Sequence, residues 1–331
     1  MDVSILIISY NTREMTLACI QSVIDQTKQV SYEVLVVDNA SKDGSAEAIA
    51  AAYPAEKFPQ VKLIIPERNL GFAGGNNLAG EQATGDYILL LNPDTLILDH
   101  AVDEVVHFAR QRPKAGIVGG RTYFGDMQLN PNSCHGKPTP WSLFCMGFGL
   151  SSIFRRNSLF DPESLGKWPR NTVRTVDAVT GCFLLIQTPL WKQLGGFDLS
   201  FFMYSEDTDL CLRTWKLGYE CVIDPAAKLI HYGGQSERIK PDKFVRLFRA
   251  KAQLFEKHWN PKFVIFGIKM LEMWAGTRTL GTWVRQLVRP GTREAYLSWR
   301  QIWQRRREFW PSQPSSAVGP ASSAPIAAAP K

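Results

Sequence analysis

The chain contains no Cys-x-x-Cys pair; its six cysteines stand singly at 19, 134, 145, 182, 211 and 221. That spacing gives no support to a zinc site or a thioredoxin-type redox centre. Cys182 and Cys211 lie in apolar or helical surroundings, read as small buried hydrophobes, and fit a reducing compartment. No apolar run reaches the roughly 20 residues needed to span a bilayer. The N-terminus enters Val3-Ser4-Ile5-Leu6-Ile7-Ile8-Ser9 at once. It has no basic stretch and no small-residue cleavage site, so no signal peptide is expected. A Gly-x-Gly-x-x-Gly turn after the first strand is also missing. The residues there are Ser9-Tyr10-Asn11-Thr12, which takes away the main support for a nicotinamide-dependent dehydrogenase. There is no internal repeat.

Charge is present but unevenly spread. Residues 1–236 carry 20 Lys+Arg against 25 Asp+Glu, and residues 237–310 carry 17 against 6. The first part is therefore acidic and the second strongly basic, which predicts an anionic partner for the second: a membrane surface, nucleic acid or a phosphorylated substrate. The length of 331 residues allows one large core with an appendage.

Residues 1–120 alternate strand and helix patterns. Strands are expected at 3–9, 34–38, 61–65, 87–91 and 115–118, with helices at 12–27, 44–53, 72–83 and 99–111. Such alternation predicts an α/β fold with a mostly parallel sheet flanked by helices. Residues 121–175 show no clean periodicity and read as irregular segments over the ligand-binding edge. Order resumes with a strand over 176–186, broken at Thr180-Gly181, a short helix from Pro189, a helix at 207–217 and a strand at 220–223. Residues 237–310 read as a helical arm, with Phe244, Leu247, Phe248, Leu254, Phe255 and Trp259 on one face. Residues 311–331, rich in Pro, Ser and Ala, are expected to be disordered.

The run Tyr87-Ile88-Leu89-Leu90-Leu91 reads as a strand buried on both faces, and Asn92-Pro93-Asp94 ends it. That sets Asp94 at the carboxyl edge of the sheet, where open α/β sheets bind ligands. A carboxylate there can hold Mg2+ or Mn2+ together with substrate phosphates, or simply serve the turn. Asp38, ending a second apolar strand, can accept from ribose or base groups, or start a turn with Ser41. Arg68-Asn69-Leu70-Gly71-Phe72-Ala73-Gly74-Gly75-Asn76-Asn77 is a glycine-rich entry to a helix, suited to a phosphate or to a tight turn. Glu206-Asp207-Thr208-Asp209 puts three carboxylates at a helix start, more than capping requires, so one can act as general base. His231 follows a strand-like segment and can be a metal ligand or a structural histidine.

Taken in order, these segments resemble glycosyltransferase family 2, of GT-A fold, and its rhamnosyltransferase-like bacterial branch. The matching stretches are Ser-Tyr-Asn, Val-Val-Asp-Asn-x-Ser-x-Asp-Gly-Ser, Asn-x-Gly-Phe-Ala-x-Gly-Asn-Asn, Leu-Asn-Pro-Asp, Gly-Cys-Phe-Leu-Leu-Ile and Tyr-x-Glu-Asp-x-Asp-Leu-Cys-x-Arg, spread over about residues 1–260. The resemblance implies inverting transfer from a nucleotide diphospho-sugar. It implies that Ser9, Tyr10, Asn11, Asp38 and Asn39 hold the base and ribose, and that Arg68, Asn69, Gly71, Phe72, Asn76, Asn77 and Asn92 line the donor. It puts Asp94 and His231 at a divalent metal, Mg2+ or Mn2+, and makes Asp207 the base. Gly181, Cys182 and Glu206 fall on the acceptor side. Asn92 replaces the first Asp of the family's metal motif, which leaves one fewer charge on the cation. A Gln-x-x-Arg-Trp motif is absent after Asp209, which implies addition of single sugars rather than polymerisation.

The branch implies dTDP-rhamnose as donor and a saccharide acceptor, polyprenyl-diphosphate-linked, in cell-wall or surface polysaccharide synthesis. UDP-galactose or UDP-GlcNAc as donor, a nucleotidylyltransferase, and a non-enzymatic nucleic-acid or membrane-binding module are the competing readings. A binding module leaves Asp38, Asp94 and Asp207 without a role, so no nucleic acid is expected. The division expected is a catalytic domain over 1–236, with a nucleotide-sugar half to 120 and an acceptor half beyond, then the arm and the tail. Six of ten tryptophans fall in the arm, with Trp299, Trp303 and Trp310 at near-helical spacing among arginines. That composition predicts a helix lying on an anionic membrane, on the inner face of the plasma membrane of a cytoplasmic protein. Packing of these rings on the catalytic domain, or between copies of the chain, is the alternative.

Overall fold

The computed structural model describes residues 1–233 and 240–311. The expected disordered tail lies outside the described residues but for residue 311, and so does the expected boundary near 236. The first half runs β1 (Val3–Ser9), α1 (Arg13–Gln26), β2 (Tyr32–Asp38), α2 (Ser45–Ala52), β3 (Val61–Ile64), α3 (Gly71–Glu81), β4 (Tyr87–Leu91), β5 (Thr95–Leu98), α4 (Ala101–Arg110) and β6 (Ala115–Tyr123). It continues with β7 (Cys134–His135), α5 (Pro140–Gly147), α6 (Leu150–Ile153), β8 (Arg174–Val176), β9 (Ala178–Val179), β10 (Phe183–Gln187), α7 (Thr188–Leu194), α8 (Glu206–Lys216) and β11 (Glu220–His231). The arm is α9 (Lys240–His258), α10 (Pro261–Val288) and α11 (Arg293–Gln304).

Nine strands form one sheet in the order β3-β2-β1-β4-β10-β6-β11-β5, with β8 beside β11. β3, β2, β1 and β4 are mutually parallel, and β10 enters antiparallel between β4 and β6. The apolar runs alternate between two cores, as a strand's period of two requires. Ile5, Ile7, Val34, Val36, Leu89 and Leu91 pack with Cys19, Ile20, Val23, Ile49 and Val105 from α1, α2 and α4. Leu6, Leu35, Val37, Ile88 and Leu90 pack on the other side with Ala73, Ala79, Leu190, Leu210 and Cys211 from α3, α7 and α8. All six cysteines are free and buried.

Several segments differ from expectation, among them β5, where no strand was expected. β6 runs through Gly119-Gly120 to Tyr123, because those glycines make room for close neighbours: a Cβ on Gly120 would lie 2.6 Å from the Ala227 carbonyl. β11 runs on to His231, past Pro225, by a register shift between Ile223 and Lys228; a bulge is where a strand admits proline. Within 121–175, Thr139 caps α5 in a capping box with Ser142.

α5 belongs to the arm's core. Leu143 is buried with Phe248, Phe255, Ile268, Leu271 and Ile302. Trp259, Trp274, Trp299, Trp303 and Trp310 pack against the same cluster. Trp299 lies 4.9 Å from the Phe244 ring, and the Trp310 indole donates to Glu272. The three rings expected at a membrane thus face protein, because α11 folds back along α9 and α10 and supplies the apolar face they need. The arm is also pinned to the sheet half. Asp209, fully buried, pairs with Arg213, His258 and Lys257 at 2.7–2.8 Å.

Candidate active site

The carboxyl edge of the parallel strands opens into a cavity of about 950 Å³. Of the eighteen sequence positions expected at a site, twelve line it: Tyr10, Asn39, Asn69, Gly71, Phe72, Asn92, Asp94, Gly181, Cys182, Glu206, Asp207 and His231.

Asp94 gets there because β4 ends at Leu91 and the chain reverses through Asn92-Pro93 into β5, with the Thr95 hydroxyl donating to the Asn92 carbonyl at 2.7 Å. β5 pairs antiparallel with β11 in the register His231↔Thr95. That register sets His231 Nε2 3.4 Å from Asp94 Oδ1 and 3.5 Å from the Asn92 amide. Burial opposes a charge on the ring, but Cys182 and Asp94 beside it push its pKa up to about 10. His231 Nδ1 and Asn92 Oδ1 are buried without partners. No group of three or more His, Cys, Asp or Glu able to hold a metal occurs among the described residues. Asp94 with His231 and the orphan Asn92 oxygen therefore fit a cation that takes one carboxylate and completes its shell with phosphate and water, as Mg2+ does.

Asp207 stands in the first turn of α8. Its Oδ2 accepts from the Gly181 amide at 3.0 Å and its Oδ1 from the Thr208 amide at 2.6 Å. Tyr204 and Ser205 before it both adopt the left-handed conformation, φ 72° and 65°. Two such non-glycine residues in succession carry strain, which turns the helix start toward the cavity. Glu206 is buried with one oxygen unpartnered; burial, then the neighbouring Asp207 charge, raises its pKa well above the usual carboxylate range. The buried surroundings of Glu206 favour its neutral form.

Six expected residues do not line the cavity. The Ser9 hydroxyl is buried against Thr16 at 2.9 Å and Thr12 at 3.3 Å. Asn11 accepts from the Lys42 amide and joins two loops. Asp38 accepts from the Ser41 amide at 2.8 Å, and its other oxygen is buried without a partner. Asn76 donates to the Phe72 carbonyl, and Asn77 brackets Phe197 with two bonds. Arg68 is exposed.

The glycine-rich entry to α3 is not a free phosphate cradle. The amides of Leu70, Gly71 and Phe72 donate to Asn39 Oδ1, Asn69 Oδ1 and the Phe202 carbonyl. Gly71, at φ +73°, is required because a Cβ would lie 2.6 Å from that carbonyl. The glycines here serve close packing, and Asn39 and Asn69 hold the loop.

Sequence reasoning missed His135, whose Nε2 lies 3.3 Å from the Thr208 hydroxyl beside Asp207. It also missed Arg155, Arg156, Lys243 and Arg278, which line the same cavity. These residues sit in the aperiodic stretch or the arm, and no local pattern marks them.

The family model described as "Glycosyl transferase family 2" matches residues 4–166. The N-acetylglucosaminyl-diphospho-decaprenol L-rhamnosyltransferase of Mycobacterium tuberculosis is 27% identical over 248 residues, 67% of this chain and 73% of that one. A rhamnosyltransferase of Escherichia coli is 29% identical over 181 residues, 51% of this chain and 63% of that one. Among solved structures, a mannosyltransferase from Pyrobaculum calidifontis in complex with GDP-Man and Mn2+ superposes with a TM-score of 0.55 at 17% identity, over 93% of this chain and 84% of that one. The structural likeness bears on the fold, which is that of GT-A glycosyltransferases. With its motifs met in order along the sheet edge, the chain is a glycosyltransferase whose first half is similar to glycosyl transferase family 2.

Proposed function

We propose that this site transfers one sugar, with inversion, from a nucleotide diphospho-sugar to a hydroxyl of a saccharide acceptor. The observation that carries it is Asp207, clamped by two backbone amides in a cavity that also holds the Asp94–His231 pair. Both oxygens of Asp207 accept from fixed N–H groups, so its remaining lone pairs have a set direction. Asp207 takes the proton from the acceptor hydroxyl as that oxygen bonds to the anomeric carbon. The bond from that carbon to the diphosphate breaks on the far side, and the electron pair leaves on the phosphate oxygen. Asp94 and His231 would hold a divalent cation, Mg2+ or Mn2+, which when bound neutralises charge on the departing diphosphate. Tyr10, Asn39, Asn69 and Phe72 line the donor side; Gly181, Cys182 and Glu206 belong to the acceptor side.

The relatives' names support a rhamnosyl donor and a lipid-linked GlcNAc acceptor; dTDP-rhamnose is the donor proposed, in cell-wall or surface polysaccharide synthesis. No helix among the described residues is long and apolar enough to cross a membrane. Leu280, Trp283, Val284 and Leu287 form an exposed apolar stripe on α10, beside Arg285 and Arg289. That stripe supports contact with an anionic membrane face.

The test is nucleoside diphosphate release from a panel of dTDP-, UDP- and GDP-sugars with a GlcNAc-diphospho-lipid acceptor. Turnover is expected with dTDP-rhamnose, lost in EDTA and restored by Mg2+ or Mn2+. Turnover with a UDP-sugar alone would replace the donor. Full turnover by demonstrably metal-free protein would remove the cation.

A further inference from the structure

The cavity carries a second cluster that sugar transfer at Asp207 does not use. Arg155 and Arg156 follow α6, and Lys243 and Arg278 come from α9 and α10; all four line the cavity. Among the described residues no carboxylate pairs with Arg155, Lys243 or Arg278. Arg278 donates to the Ser152 hydroxyl at 2.6 Å, and burial together with the Arg155 charge lowers its pKa. Two guanidiniums lining one cavity, neither paired with a carboxylate among the described residues, are a ready anion site, and their fork geometry suits phosphate. The donor's phosphates belong with Asp94 and His231, so these cations call for a second anionic group.

The same short segment carries the other half of an amphiphile site. Ser151, Ser152, Arg155 and Arg156 face the cavity, while Ile153 and Phe154 between them are exposed, Ile153 at 71%. From there a ribbon of rings runs across the surface. Phe154 lies 4.8 Å from Phe160, Phe160 6.4 Å from Trp141, Trp141 5.5 Å from Phe144 and Phe144 4.7 Å from Phe148. Phe148, Trp141 and Phe154 are exposed. A contiguous apolar surface of this kind marks a binding face.

We propose that the α5–α6 segment and Arg278 form the acceptor's lipid subsite, with Arg155 and Arg278 on a prenyl diphosphate and the aromatic ribbon along its first isoprenoid units. The proposal rests on the glycosyl-transfer reading and adds where the acceptor's anchor lies. Charge complementarity commits the site to a diphosphate, and the ring ribbon at its mouth commits it to a hydrocarbon chain on that diphosphate.

The test is equilibrium dialysis of the full chain with labelled farnesyl diphosphate, in saturating dTDP and Mg2+ to fill the donor site. Saturable binding is expected, weakened about tenfold by Arg155→Gln or Arg278→Gln and by Ile153→Asp. Farnesol and inorganic diphosphate should each bind more weakly than the joined molecule. Arg155 and Ile153 are exposed, so their variants keep the test valid where Arg278→Gln fails to fold. Displacement of the probe by dTDP, or wild-type affinity in all three variants, overturns the proposal. Loss of phosphatidylglycerol vesicle binding in the variants, with farnesyl diphosphate binding unchanged, makes this face a membrane contact and also overturns it. A protein that turns over no nucleotide sugar refutes the glycosyl-transfer reading, while the dialysis result still decides the subsite.

Discussion

Asp207→Asn tests the chemistry most directly, because the structure separates two effects of the change. A positioned general base contributes about 10²–10⁴ in rate, or roughly 3–5.5 kcal/mol at about 1.36 kcal/mol per decade. The second effect is local. Both carboxylate oxygens accept from backbone amides, Gly181 to Oδ2 and Thr208 to Oδ1. An asparagine presents one oxygen and one NH2, so one amide loses its acceptor. That costs about 1–2 kcal/mol, or a fall in melting temperature of roughly 2–4 °C for a domain of this size. The assay is steady-state nucleoside diphosphate release, with donor affinity measured separately by calorimetry and stability by thermal melting. The expected outcome is a kcat at least about a hundredfold lower, donor affinity within a factor of about two, and a small loss of melting temperature. Near-normal kcat would refute Asp207 as the base. Equal loss of donor affinity and kcat would show that Asp207 shapes the donor pocket instead.

Further outcomes follow from packing and charge. Asp209→Asn leaves Arg213, Lys257 and His258 around a neutral buried group, so unfolding free energy should fall by about 3–5 kcal/mol; a denaturant midpoint within error of wild type would refute the hub. Burial alone would raise the pKa of Asp209 and of Glu33, but His258, Lys257 and Arg213 around the one, and Lys62, Thr84 and Ser4 around the other, hold both at about 2. The stability these groups lend is present above the unfolded carboxylate range and is lost as pH falls toward 2, so wild type should destabilise between pH 4 and 2 and Asp209→Asn less so. Gly71→Ala should cost about 1–3 kcal/mol through its left-handed backbone and the Phe202 carbonyl, and should weaken donor binding because Asn39 and Asn69 shift with the loop. Gly281→Ala, in α10 with nothing near its Cβ, should instead stabilise by up to about 1 kcal/mol; equal destabilisation by both would refute the steric account.

The alternating strands and helices of the first half were legible because their patterns are local. β1 and β4 span the expected 3–9 and 87–91, since a strand buried along its length stands out from the polar turns around it. β11 was legible only to Ile223. Its continuation depends on pairing with β5 and β6, and pairing across the sheet overrides the local signal of Pro225. The helix at α8 was legible from its carboxylates and apolar period, but the two left-handed residues that aim it were not, because neither Tyr204 nor Ser205 favours that conformation by itself.

By itself the sequence determined the sheet edge: apolar runs that must bury, a proline that must end one of them, and a carboxylate left at the break. It determined that Asp207 heads a helix. Tertiary structure alone decided which polar groups meet. It brought His231 to Asp94 through one strand register. It turned Ser9, Asn76 and Asn77 into ties of the framework. It folded the arm's tryptophans inward and brought Arg155 and Arg278 to one cavity. Periodicity reports which side of an element is buried, whereas the partner on that side depends on contacts between distant segments, and no local residue pattern encodes them.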